Sequence, residues 1–152
     1  MPTDNKSLAK VIREVLKEHG VDKPGTVYTD PTTDALYELF QKDKAVYWVV
    51  EDAGEILGGC GLYPTVGLNE SCVELVKLYL SQTLRGKGIG KKLMLQCIED
   101  AEAMGFNEVY LETLPELDNA IGLYEQLGFE QLDAPLGESG HFACNVWMLK
   151  RL

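Results

Sequence analysis

Near the start of the chain, apolar residues recur at three- and four-residue spacing: Leu8, Val11, Ile12, Val15 and Leu16. That rhythm predicts an amphipathic helix over Ser7 to Glu18, stopped by Gly20. A strand ahead of it would have to fit into residues 1–6. Asp30 followed by Pro31 predicts the cap and first position of a second helix, with Leu36, Leu39 and Phe40 turned inward. The period then shortens. Val46-Tyr47-Trp48-Val49-Val50 is a β-rich run, Asp52-Ala53-Gly54-Glu55 a hairpin turn, and Ile56 to Tyr63 the returning strand. Gly58, Gly59 and Gly61 leave that strand little side-chain bulk. A loop from Pro64 to Ser71 leads to a strand over Val73 to Leu80.

The helical period returns from Ile89 to Met104, with Ile89, Leu93, Met94, Cys97, Ile98 and Ala101 inward and Lys92, Gln96, Glu99 and Glu102 on the wet side. Gly105 ends it, Glu108 to Thr113 is a strand, and Asp118 to Leu127 is a short helix closed by Gly128. Phe129 to Leu132 and Cys144 to Lys150 are the last strands. The order α-α-β-β-β-α-β-α-β-β predicts a mixed α+β fold on a central sheet, with residues 1–152 as one domain. Trp48, Tyr63 and Trp147 read as core or pocket-wall aromatics.

Composition narrows the function classes. A chain of 152 residues can bury a real core, and no run approaches the ~18–20 apolar residues of a membrane span. Met1 to Lys6 has no basic stretch leading into an apolar core, so no secretion signal is expected. Four scattered cysteines without a Cys-x-x-Cys, and two histidines in all, give no basis for a metal site and fit a reducing cytoplasm. The net charge of −10 argues against a nucleic-acid surface and suits a cationic small-molecule partner.

Against that acidic background, Arg85-Gly86-Lys87-Gly88-Ile89-Gly90-Lys91-Lys92 carries four cationic side chains. It lies between a predicted strand and a predicted helix. A glycine-rich turn there leaves N–H groups unpaired at the helix start, an arrangement that binds phosphate. The spacing fits neither the dinucleotide fingerprint nor a P-loop, and no acidic residue follows at the ribose position. The alternative is a plain connection with solvated lysines.

The stretch from Val76 to Gly90, a strand followed by Arg85-x-x-Gly88-x-Gly90, resembles the acetyl-CoA motif of the GNAT-type N-acetyltransferases. Ala120-Ile121-Gly122-Leu123-Tyr124-Glu125-Gln126-Leu127-Gly128-Phe129 resembles the same family's second signature. The resemblance is clear over Val46 to Leu149. It implies a mostly antiparallel sheet with helices on both faces, splayed between the Val73–Leu80 and Glu108–Thr113 strands, with acetyl-CoA in the gap.

The resemblance also implies roles. Leu78, Tyr79 and Leu80 would pair with the pantetheine arm like an added strand, and the N–H of Leu80 would polarise the thioester carbonyl. N–H groups of Arg85, Gly86, Lys87, Gly88, Ile89 and Gly90 would hold the pyrophosphate, with Lys87 and Lys91 near its oxygens. Tyr124 would be the general acid at the sulfur. Glu74 aligns with a strand glutamate that some members use as base, and alternation puts it on the face of Val76 and Leu78. Glu112 competes for that role, or binds a cationic amine. The family's asparagine before the second signature is here Leu117; Asn119 either replaces its cofactor contact or faces solvent in the first helical turn. His141 either lines the acceptor pocket or is a loop histidine. No cysteine is placed as a nucleophile, so direct attack by the amine in a ternary complex is expected.

The reading is therefore an N-acetyltransferase acting on a primary amine, a small molecule such as a polyamine or other cationic amine. The rivals are a non-catalytic acyl-CoA-binding or regulatory module on the same fold, and a different nucleotide-binding enzyme. Family members often form homodimers through C-terminal strands, and the last strand here is apolar enough for that.

Overall fold

The computed structural model describes residues 1–152. Helix α1 (Asn5–Glu18) buries Leu8, Val11, Ile12, Val15 and Leu16, as their spacing requires. A 3₁₀ turn at Pro2–Asp4 precedes it, so the N-terminal strand does not form. The predicted second helix is broken in two. Asp30 caps a 3₁₀ turn (Pro31–Asp34), accepting from the Thr32 N–H, and a single helical turn α2 (Leu36–Leu39) follows.

Strands β1 (Val46–Asp52), β2 (Glu55–Tyr63), β3 (Cys72–Leu80), β4 (Glu108–Thr113), β5 (Glu130–Leu132) and β6 (Val146–Arg151) form one sheet in the order β1-β2-β3-β4-β6-β5. All neighbours are antiparallel except β3 and β4, which run parallel. Helices α3 (Ile89–Ala103) and α4 (Asp118–Gln126) supply one apolar layer, with Leu93, Met94, Cys97 and Tyr124 against Cys60, Leu62, Val73 and Leu75. Helices α1 and α2 supply the other, with Leu8, Ile12, Leu16 and Leu36 packing with Tyr47, Tyr63, Val76 and Tyr79. Trp48 belongs to neither wall nor core: it is 41% exposed, and its Nε1–H donates to Asp100 Oδ2 at 2.6 Å.

Two local irregularities shape the site. First, β3 carries one residue more than β2 between the pairs Gly59↔Tyr79 and Gly61↔Val76, and Lys77 sits there with φ +54°. This bulge resets the alternation. Glu74 and Val76 face the α1 layer, but Leu78 and Leu80 pack with the α3 layer, so Glu74 and Leu78 are on opposite faces. Second, the β3–β4 ladder pairs only Cys72↔Glu108, Val73↔Val109 and Glu74↔Tyr110. Beyond Glu74 the two strands part, leaving one side of Leu75 to Leu80 without a neighbouring strand.

Candidate active site

The gap between β3 and β4 opens into a cavity of about 530 Å³, within the range of small-molecule sites. Its wall includes Glu74 to Leu80 of β3, the turn that starts α3, Leu111 to Leu114 at the end of β4, and Asn119, Ala120, Leu123 and Tyr124 of α4.

At the turn, Gly86 and Gly88 both have φ +74°, a conformation open to glycine at little cost. Backbone and side-chain acceptors take none of the N–H groups from Gly86 to Lys91, whereas Arg85 N–H is bound by Gln82 O and Lys92 N–H by Gly88 O. An added Cβ at Gly86 or Gly88 would meet nothing within 4 Å. The turn is therefore an open row of donors at a helix N-terminus, suited to an anion.

Its cationic excess is smaller than the sequence implied. The Arg85 guanidinium is paired with Glu18, Nη2 to Oε2 at 3.0 Å, tying the turn to α1. Arg85, Gly86, Gly88, Ile89, Gly90 and Lys91 line the cavity, but Lys87 does not. Leu78, Tyr79, Leu80 and Asn119 line it, as does Leu117 at the position of the family's asparagine.

Tyr124 is buried, its ring centroid 5.9 Å from that of Phe129. Its hydroxyl makes no hydrogen bond within the protein and reaches the cavity. Burial raises its pKa, so it is a phenol rather than a phenolate near neutral pH.

Glu74 is 4% exposed. Thr65 Oγ1 donates to its Oε2 at 2.6 Å, and Oε1 has no partner in the protein. Burial pushes its pKa up to about 7, opposed by the Thr65 hydrogen bond and reinforced by the Glu112 charge. Glu112 is engaged at both oxygens: Tyr110 donates to Oε2 at 2.7 Å, and the Ser139 hydroxyl donates to Oε1.

His141 is a loop residue and also a wall residue. Its Nε2 lies 2.8 Å from Asp30 Oδ2, a pairing across 111 positions that no local pattern announces. That hydrogen bond, aided by those from Thr32, holds the Asp30 carboxyl below its ordinary range. Lys77 and Cys144, which no sequence motif singles out, line the cavity as well. Burial pushes the Cys144 thiol up to about 12, which keeps it un-ionised and a poor nucleophile.

Comparison with known proteins identifies the family. Residues 12–129 match the acetyltransferase (GNAT) family. The chain is 47% identical to the uncharacterized N-acetyltransferase YjgM of Escherichia coli (strain K12), over 98% of this chain and 90% of that one. A GNAT-family acetyltransferase from Staphylococcus aureus Mu50 superposes with a TM-score of 0.85 at 19% identity, covering 99% and 94% of the two chains. The PaiA N-acetyltransferase of Thermoplasma acidophilum, solved in complex with coenzyme A, superposes with a TM-score of 0.74 at 18% identity, again over 99% and 94%. By family match, sequence identity and fold alike, this chain belongs to the GNAT family of N-acetyltransferases.

Proposed function

We propose that the protein transfers acetyl from acetyl-CoA to a primary amine on a small molecule, by direct attack in a ternary complex. The observation that carries this reading is that the open amides of Gly86, Gly88, Ile89, Gly90 and Lys91, Tyr124 with its unbonded hydroxyl, and Glu74 with one oxygen free all line one cavity. In this reading Gly86 to Lys91 hold the pyrophosphate through main-chain N–H groups, and Lys91 adds a charge. The strand edge from Leu78 to Leu80 holds the pantetheine arm, with the Leu80 N–H on the thioester carbonyl. Acetyl-CoA supplies an activated acyl group; the chain supplies position and protons.

Attack needs a neutral nitrogen. Glu74 Oε1 is the acceptor for the amine proton, and a pKa of about 7 suits a base working near neutral pH. Glu112 is less suited, since two hydroxyls already occupy its oxygens. It is assigned to electrostatic support of the amine. Tyr124, kept protonated by burial, donates to the departing sulfur.

The test is release of CoA thiol from acetyl-CoA with a chemically diverse set of primary amines. Amine-dependent release supports the reading. Binding of CoA with no release on any amine supports the non-catalytic acyl-CoA-binding module instead.

A further inference from the structure

Lys77 is a cation that acetyl transfer, as described above, leaves without a task. It occupies the β3 bulge in a left-handed conformation that lysine rarely adopts, and the Tyr47 hydroxyl donates to its carbonyl at 2.9 Å. Its side chain is 4% exposed and lines the cavity, yet Nζ makes no hydrogen bond in the protein. The nearest carboxylate oxygen, Asp30 Oδ2, is 3.9 Å away, beyond hydrogen-bond reach. That oxygen already faces His141 Nε2 at 2.8 Å, and Asp30 Oδ1 accepts from the Thr32 N–H and hydroxyl. No fully enclosed side-chain polar atom in the protein lacks a partner, so Nζ opens onto the cavity, with three donors and no protein acceptor within hydrogen-bond reach, as a site a ligand can complete.

The surrounding charges restrict what can complete it. Lys77 is faced by Asp30 and Glu74; Glu112 and His141 stand close enough to Glu74 to perturb it. A free anion entering the cavity meets the carboxylates of Glu74 and Glu112, with Asp30 beside Lys77. A simple diamine brings a second cation towards Lys77. A molecule carrying both charges meets neither obstacle, because each pole finds its opposite.

We infer that the acceptor is a small amine that itself bears a carboxylate, with its nitrogen at Glu74 and its carboxylate on Lys77 Nζ. This rests on the amine-acetylation reading of the same site. Burial lowers the Lys77 pKa on balance, the charges of Asp30 and Glu74 oppose that fall, and a bound carboxylate would oppose it further.

The test compares amino acids with the amines left when their carboxylate is removed, by kcat/KM with acetyl-CoA. The wild type should prefer the carboxylate-bearing member of each pair by about 10-fold or more, the scale of a charged hydrogen bond. In Lys77→Met that ratio should fall towards one, and Lys77→Arg should retain it. Should Lys77→Met fail to fold, the wild-type preference decides by itself. Equal or better use of the decarboxylated amines overturns the inference and leaves acetyl transfer standing. An unchanged ratio in Lys77→Met also overturns it. Failure to acetylate any member, with CoA bound, overturns both.

Discussion

Thr65 donates its hydroxyl hydrogen to Glu74 Oε2 at 2.6 Å, and this one bond decides which carboxylate oxygen is left for a ligand. It also opposes the burial that raises the Glu74 pKa. Thr65→Val should therefore move the acidic limb of the kcat/KM profile upward by about half to one pH unit, the equivalent of one net hydrogen bond of ~1 kcal/mol. Thr65→Ser should restore it. A limb that stays in place in Thr65→Val while activity falls would make Thr65 structural only.

Glu74→Gln separates activity from stability. Loss of the base should lower kcat by about a hundredfold or more and remove the limb near pH 7. Stability should move the other way. A carboxyl raised to about 7 from 4.5 binds more protons folded than unfolded, so its contribution is fully present below pH 4.5 and is lost as pH rises through 7. Gln carries no such penalty. Denaturant unfolding should find the variant more stable than wild type at pH 8, by roughly 1–3 kcal/mol, with the difference shrinking at pH 5.

Tyr124→Phe removes a hydroxyl that bonds to nothing in the protein. Folding should be nearly unaffected. Turnover should fall by about a hundredfold or more, with little change in the KM for acetyl-CoA. Steady-state kinetics check this, and wild-type turnover would remove Tyr124 from the chemistry.

Gly88→Val places a branched side chain at φ +74° beside the open amide row. The left-handed strain should cost about 1–2 kcal/mol of stability. CoA affinity, measured by calorimetry, should fall by about tenfold or more, because the donors are displaced together. Unchanged affinity would move the pyrophosphate away from this turn.

The side of the cavity built from the glycine turn and Tyr124 is legible because it is local. A strand, a glycine turn and a helix are contiguous, and Tyr124 lies inside a short signature; β4 was placed at its observed bounds, Glu108–Thr113. The side around Glu74, Asp30 and His141 is not, because it is assembled from distant pieces. Asp30 was readable as a cap, since Oδ1 does bind the Thr32 N–H, but nothing near it shows that Oδ2 meets His141. Strict alternation put Glu74 with Leu78, because a lysine in a bulge has no sequence signature. Arg85 looked free for phosphate until α1 brought Glu18 to it across 67 positions.

The most direct measurement follows acetyl-labelled acetyl-CoA with the purified protein and a set of primary amines, reading where the label goes. Label is expected on the nitrogen of an amine, formed about a hundredfold or more faster by wild type than by Tyr124→Phe or Glu74→Gln. Label that stays on CoA in the presence of every amine, while CoA itself binds, would contradict acetyl transfer.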